Sequence, residues 1–168
     1  RSNPLFTDAE RAALEVAIPG GDLTFYKASY QLQRYFAISR SFTLMLNGEV
    51  GYGDSYGDTK ALPFYKNFYA GGTSSVRGFR SRSLGPRDVG GPDETLPIGG
   101  SKRVLVNTEL LFPFPGMTDN KSMRLSAFVD GGMVYGSDEI VDLSTMRYAA
   151  AIAFNWYSPI GPISISYA

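Results

Sequence analysis

The sequence contains neither cysteine nor histidine, and each absence removes a class of chemistry. Without cysteine, the chain forms no disulfide and offers no thiolate as a nucleophile or metal ligand. Without histidine, it lacks the side chain that most often serves as a general base and as a zinc ligand. Its 16 basic and 16 acidic side chains balance, so bulk charge favours no nucleic-acid partner. We expect no enzymatic activity, no catalytic residue, no cofactor and no metal site.

Long apolar segments are also missing, because no run approaches the roughly 18–20 apolar residues that a membrane-spanning helix requires. Aromatic residues and glycine are abundant instead, with 11 tyrosines, 11 phenylalanines and 19 glycines in 168 residues. Aromatic side chains favour β-strands over helices. We expect an all-β protein, with residues 1–168 forming part of one domain.

Seven segments alternate in side-chain character with a period of two, which indicates half-buried β-strands. Glu109 and Asp130 fall on the polar faces of the fourth and fifth segments. The apolar faces comprise, in chain order, Leu14, Val16 and Ile18; Tyr26, Ala28, Tyr30 and Leu32; Phe42, Leu44, Leu46, Val50 and Tyr52; Val104, Val106, Leu110 and Phe112; Met123, Leu125, Ala127 and Val129; Tyr148, Ala150, Ile152, Phe154 and Trp156; and Ile163, Ile165 and Tyr167.

Two features favour a membrane β-barrel over a soluble β-sandwich or a soluble lipid-binding barrel. Aromatic side chains cluster near the ends of the predicted strands, as in the girdles of outer-membrane barrels. The connections also differ between the two ends of the sheet. One end has the short segments 37–41, 113–122 and 158–162, and the other has segments 19–22, 136–145 and 53–101. Short periplasmic turns opposite longer extracellular loops are typical of outer-membrane barrels.

The odd strand count predicts that the chain is part of a larger barrel. Bacterial single-chain barrels usually have an even number of strands, and an open sheet edge is not tolerated in lipid. We expect the seven strands to be an antiparallel fragment of a transmembrane barrel that continues beyond this sequence.

The segment 53–101 is far longer than a structureless connection in a compact domain, which indicates a functional loop. Four aromatic side chains, at positions 64, 65, 68 and 69, predict that part of the loop packs on the inner barrel wall. Residues 89–100 are rich in glycine and proline, carry acidic side chains, and are expected to be exposed.

Within this loop, Val76, Arg77, Gly78 and Phe79 form the most informative tetrapeptide of the chain. An arginine that fixes a loop inside a barrel needs an acidic partner on the wall, and Glu109 and Asp130 are the two candidates. A pair of carboxylates suits the planar guanidinium. On the residues alone, a solvated loop arginine remains the alternative.

Several segments resemble the BamA family of barrel subunits, which insert outer-membrane proteins. The resemblance runs through the whole chain in order, at residues 16–20 (VAIPG), 51–53 (GYG), 62–65 (LPFY), 68–79 (FYAGGTSSVRGF), 83–88 (SLGPRD), 109–113 (ELLFP), 128–132 (FVDGG) and 156–162 (WYSPIGP). It implies a sixteen-strand barrel in the bacterial outer membrane, of which this chain resembles strands nine to fifteen. The long loop is then the sixth extracellular loop, folded into the lumen, with Arg77 contacting Glu109 and Asp130.

The resemblance also implies partners: outer-membrane lipid, unfolded outer-membrane proteins as substrates, and accessory lipoproteins bound through periplasmic domains that this sequence does not contain. The family's last strand, which pairs with the first strand at the lateral gate, is absent too. We therefore expect this chain alone not to be competent for insertion. A related transporter that secretes a polypeptide through its pore is the alternative within the superfamily.

Three other patterns are weaker. Residues 71–75 (GGTSS) faintly suggest a phosphate-binding loop, but the Gly-Lys-Ser/Thr ending is missing. Arg77, Arg80, Arg82 and Arg87 form a basic run that we expect to face the lumen or lipopolysaccharide. The acidic residues Asp54, Asp58, Asp93 and Glu94 match no calcium-loop spacing and are expected to be solvated.

Overall fold

The computed structural model of the chain describes residues 7–17, 23–57, 62–88, 96–116, 122–158 and 161–167, with the backbone alone at 157, 158, 162 and 164. These residues form one antiparallel sheet in which the strand order follows the sequence. The strands are β1 (Ala9–Val16), β2 (Phe25–Ala37), β3 (Thr43–Ser55), β4 (Lys102–Pro113), β5 (Met123–Tyr135), β6 (Arg147–Ser158) and β7 (Gly161–Tyr167). The all-β, seven-strand prediction is confirmed.

The only helical elements among the described residues are two short 3-10 turns, Phe64–Lys66 and Leu143–Thr145. No helix in that part of the chain is long and apolar enough to cross a membrane. Every sheet neighbour is also a neighbour in sequence, so each strand pairs antiparallel with the next along the chain.

The two faces of the sheet differ as the sequence alternation predicts. One face carries the folded-back loop and buries Asn107, Glu109, Ser126 and Asp130, and we call it the loop face. The opposite, bare face presents aliphatic and aromatic side chains that are 39–61% exposed: Leu46, Val50, Tyr52, Val106, Val129, Tyr148 and Ile152. Aromatic pairs lie near both ends of the strands, with ring centroids 6.0 Å apart in Phe42–Phe112 and in Tyr26–Tyr52.

The long loop begins later than the sequence predicts, because β3 continues to Ser55 and the loop occupies residues 56–101. It crosses the loop face and contributes to a small apolar core of Phe68, Ala70, Val76, Leu84, Leu105 and Val134, against which Phe79 packs. Isolated β-bridges pair residues within the loop, such as Phe68 with Gly100 and Ala70 with Leu84.

Two expectations about the loop are wrong in part. Phe68 is buried, but Phe64 and Tyr65, which belong to the 3-10 turn, are 75% and 57% exposed. In segment 89–100, Leu96 and Ile98 are exposed, whereas Gly99 and Gly100 are buried between the loop and the end of β5. Residues 89–95, together with Ile18 and the turn 19–22, lie outside the described residues.

Candidate loop-anchoring site

The local backbone around Arg77 is a compact set of turns. The Gly71 amide donates to the Ser75 hydroxyl at 2.9 Å, and the Gly72 amide donates to the Val76 carbonyl at 3.2 Å. Gly71 and Gly72 have φ values of +104° and +97°, which favour glycine. A Cβ at Gly71 would lie 2.4 Å from the Arg80 carbonyl oxygen. The glycine pair therefore lets the loop reverse tightly just before the arginine.

The Arg77 guanidinium lies between two carboxylates on neighbouring strands. Its Nε and Nη2 donate to Oδ2 and Oδ1 of Asp130 at 2.7 and 2.9 Å, in a bidentate arrangement. Its Nη1 donates to Oε2 of Glu109 at 2.7 Å. The backbone amide of Arg77 also donates to Asp130 Oδ2, at 3.0 Å. Asp130 thus accepts three hydrogen bonds from one loop residue, which fixes both the side chain and the backbone.

Strand register explains why both carboxylates reach one guanidinium. Glu109 on β4 pairs with Phe128 on β5, and Asp130 is two residues further along the same face. The guanidinium carbon lies 3.5 Å from the centroid of the Phe128 ring, between the two acids. Cation, ring and carboxylates therefore form one packed unit on the loop face.

The site is well shielded from water. The side chains of Arg77, Glu109 and Asp130 are 19%, 11% and 0% exposed. Burial by itself lowers the pKa of Arg77, but the hydrogen bonds to Asp130 and Glu109 outweigh burial, and the pKa is raised. The arginine is therefore held as a cation. A paired, hydrogen-bonded charge is the form in which a buried ion is tolerated.

A line of amide side chains continues the polar network across the sheet. Asn107 donates to the Ser75 carbonyl at 2.7 Å and accepts from Asn47 at 2.8 Å. Asn47 in turn accepts from Gln31 at 2.9 Å. The network therefore extends from β2 to the loop, although the sequence predicts only its charged members.

The remaining residues of the tetrapeptide have separate environments. Val76 is fully buried in the apolar core, Phe79 packs against that core, and Gly78 is exposed with a φ of +92°. Val76 occupies space left by a glycine on β5, because a Cβ at Gly132 would lie 2.7 Å from Val76 Cγ2 and 2.6 Å from Leu105 Cδ2.

Gly132→Ala is therefore expected to displace Val76 and destabilise the docked loop by about 1–3 kcal/mol, the usual range for overpacking. The measurement is the thermal midpoint of the intact protein in detergent. Gly136→Ala is the matched control just after β5, because its new Cβ would meet only the Glu139 side chain at 3.6 Å. Equal midpoints for the two variants would contradict the prediction.

Within the described part of the chain, the weaker sequence patterns do not converge on a phosphate, nucleic-acid or calcium site. Arg80, Arg82 and Arg87 are exposed; Arg82 lies over the Tyr69 ring and Arg87 donates to the Ser83 carbonyl. The amides of Gly71, Gly72 and Ser75 are used within their own turns. Asp54 accepts from Tyr52 and from the Ser55 amide. Asp58, Asp93 and Glu94 lie outside the described residues.

Sequence reasoning missed a second group of loop contacts, at Lys27, Gly51 and Arg103 around Phe68. The only signal for it was Gly51, a glycine on the loop face of a strand. Such a glycine often marks a close approach by another part of the chain.

Comparison with known proteins agrees with the fold. The sequence profile of the Omp85 superfamily domain matches residues 9–168. The outer membrane protein assembly factor BamA of Neisseria meningitidis is 40% identical over 92% of this chain, which spans 22% of that protein. BamA of Nitratidesulfovibrio vulgaris is 28% identical over 88% of the chain, and the chain spans 18% of its length.

A solved structure extends the similarity to three dimensions. The crystal structure of Haemophilus ducreyi BamA lacking POTRA domains 1–3 matches with a TM-score of 0.85 and 29% identity. The match covers 98% of this chain and 35% of that one. The resemblance to BamA and the bacterial outer-membrane location that the sequence predicts are confirmed. With the superfamily profile covering all seven strands, the chain belongs to the Omp85 superfamily.

Proposed function

We propose that this chain is the C-terminal part of a barrel domain whose function is to fold and insert other β-barrel proteins into the outer membrane. In this proposal the seven strands are part of a sixteen-strand wall, and the loop 56–101 occupies the lumen. The role is mechanical rather than catalytic. The observation that carries the proposal is the buried contact of Arg77 with Asp130 and Glu109, together with the similarity to BamA.

The bare face supports outer-membrane lipid as a partner. Its aliphatic side chains, including Val50, Val106, Val129 and Ile152, are 46–61% exposed. A contiguous apolar surface of this kind suits acyl chains, since the opposite face holds the charged and amide side chains. Unfolded outer-membrane proteins are the proposed substrates. Accessory lipoproteins are the proposed further partners, bound through periplasmic domains of the intact protein.

The loop anchor has a mechanical purpose in this proposal. A wall that opens to admit substrate strands needs a fixed element to keep its remaining strands in register. Arg77 bridges β4 and β5 by hydrogen bonds to a residue on each strand. We propose that this bridge holds the wall and the loop together while other strands of the barrel separate.

The test is an insertion assay with the intact protein in phospholipid vesicles. An unfolded barrel substrate is added to vesicles with or without the intact protein. We expect the protein to speed conversion of that substrate into a protease-protected, heat-resistant form in the bilayer. Arg77→Ala is expected to reduce that rate several-fold because the loop is no longer fixed. Substrate recovered unfolded inside the vesicles would instead indicate a polypeptide-secreting pore and would contradict the proposal.

A further inference from the structure

A second contact area joins the long loop to the sheet, separate from the Arg77 site. We call residues 62–70 the loop root and residues 71–79 the loop tip. The tip contacts carboxylates on β4 and β5, whereas the root lies over β2, β3 and the start of β4. The loop is thus attached to the loop face at both segments.

Phe68 is the central side chain of the root contact and is 4% exposed. Its ring lies directly over Gly51 of β3, where a Cβ would be 2.6 Å from the ring atom Cε1. Lys27 Nζ lies 4.0 Å from the ring centroid and the Arg103 guanidinium carbon lies 5.1 Å from it. A glycine recess flanked by two cations is a specific receptor for an aromatic ring.

The same cations also hold the backbone of the root. Lys27 Nζ donates to the Lys66 carbonyl at 2.8 Å, and Arg103 Nη1 donates to the Tyr69 carbonyl at 3.1 Å. Each cation therefore contacts both the Phe68 ring and a backbone carbonyl within two residues of Phe68. The Phe68 amide and carbonyl in turn pair with Gly100 at 2.8 and 3.0 Å.

Two further contacts flank Phe68 on the same side of the sheet. Lys66 forms an ion pair with Glu15 of β1. Leu62 packs over Gly53, where a Cβ would lie 3.1 Å from Leu62 Cδ2. Neither contact involves Arg77, Glu109 or Asp130, so the charged partners of root and tip are separate sets. Both segments contribute to the small apolar core, the root through Phe68 and Ala70 and the tip through Val76.

We propose that Phe68, inserted over Gly51 between Lys27 and Arg103, is a second anchor that holds the loop root on β2–β4 when the Arg77 ion pair is broken. Phe68 is a positioning residue, because it acts by placing the loop. The proposal concerns loop placement and is independent of whether the intact protein inserts other barrels.

The test is peptide-resolved hydrogen exchange on the intact protein in detergent micelles. In Arg77→Ala, tip amides are expected to exchange faster while residues 64–70 keep wild-type protection. In Phe68→Ala, the amides of residues 64–70 are expected to exchange at least about tenfold faster, because exchange reports local opening. Phe68→Leu, which keeps an apolar side chain, is expected to restore part of that protection.

Gly51→Ala and Gly48→Ala form the matched pair for the recess. Both replace a β3 glycine by alanine, but a Cβ at Gly48 meets nothing within 4 Å on the bare face. Gly51→Ala is expected to reproduce the root exchange of Phe68→Ala, and Gly48→Ala to match the wild type. The double variant Gly51→Ala, Phe68→Ala is expected to exchange little faster at residues 64–70 than either single variant, because both changes remove the same contact.

Heat-resistant migration of each variant in detergent gels shows whether the barrel has folded. If the folded single variant Arg77→Ala lost protection at residues 64–70 although Phe68 is intact, the proposal would be overturned. That result would mean that the tip is the sole anchor. Wild-type root protection in both Phe68→Ala and Gly51→Ala would overturn it as well. These readouts do not require insertion activity, so failure of the proposed function would leave them interpretable.

Discussion

Replacing Arg77 by alanine in the intact protein is expected to release the loop tip and expose the peptide bond after Phe79 to chymotrypsin. The change leaves Asp130 fully buried, and Glu109 nearly so, without a cation between them. Removing one member of a buried charged cluster costs about 3–5 kcal/mol, since the remaining charges stay desolvated. Phe79 packs against the core two residues after Arg77, so release of the tip is expected to expose it.

Two variants make the measurement specific. Arg87→Ala removes an exposed arginine of the same loop that does not adjoin the Phe79–Arg80 bond, and it is expected to leave cleavage unchanged. Arg77→Lys keeps the charge but not the planar fork, so it is expected to restore little of the protection. Equal cleavage rates in Arg77→Ala and in the wild type would show that the ion cluster does not hold the tip.

Asp130→Asn is expected to destabilise the docked loop far more than Glu109→Gln. Asp130 accepts three hydrogen bonds on its two oxygens, and asparagine would place an amide group against one of the Arg77 donors. The expected cost is about 3–5 kcal/mol, as for a broken buried pair. Glu109 accepts one bond, and glutamine keeps an acceptor, so its loss is expected to be about 1–2 kcal/mol.

The comparison is made on thermal midpoints of the three proteins in one detergent, with chymotrypsin cleavage after Phe79 as the second readout. Because both substitutions are nearly isosteric and both neutralise one carboxylate, net charge changes equally. A larger effect for Glu109→Gln than for Asp130→Asn would contradict the assigned hydrogen bonds.

The strands and the two wall carboxylates could be predicted because both depend on a period of two. Once Val106 and Val129 are assigned to one face, Asn107 and Asp130 must point to the other. The structure then brings Asp130 and Glu109 to one arginine because of β4–β5 register, which the alternation alone does not fix. Arg77 could be named as the loop partner of these two carboxylates because residues 76–79 resemble a motif of the BamA family. The composition of the loop alone would not have identified it.

The path of the loop could not be predicted, because its contacts are long-range and depend on recesses that glycine creates. Glycine has a low propensity for β-strands, and the sequence gives no reason to assign a particular partner to Gly51 or Gly132. In the structure they leave the space that Phe68 and Val76 fill. For the same reason, the four clustered aromatics could not be told apart. Phe68 lies over the recess at Gly51 and is buried, whereas Phe64 and Tyr65 belong to a 3-10 turn and are exposed.

The backbone amide of Arg77 offers the most direct test that the loop is fixed to the wall. That amide donates to Asp130 Oδ2 at 3.0 Å, whereas Thr73 and Ser74 of the same turn are exposed. In residue-resolved hydrogen exchange on the intact protein in lipid, we expect the Arg77 amide to exchange much more slowly than those of Thr73 and Ser74. Asp130→Asn is expected to weaken that protection. An Arg77 amide that exchanges as fast as its exposed neighbours in the wild type would contradict the anchored loop.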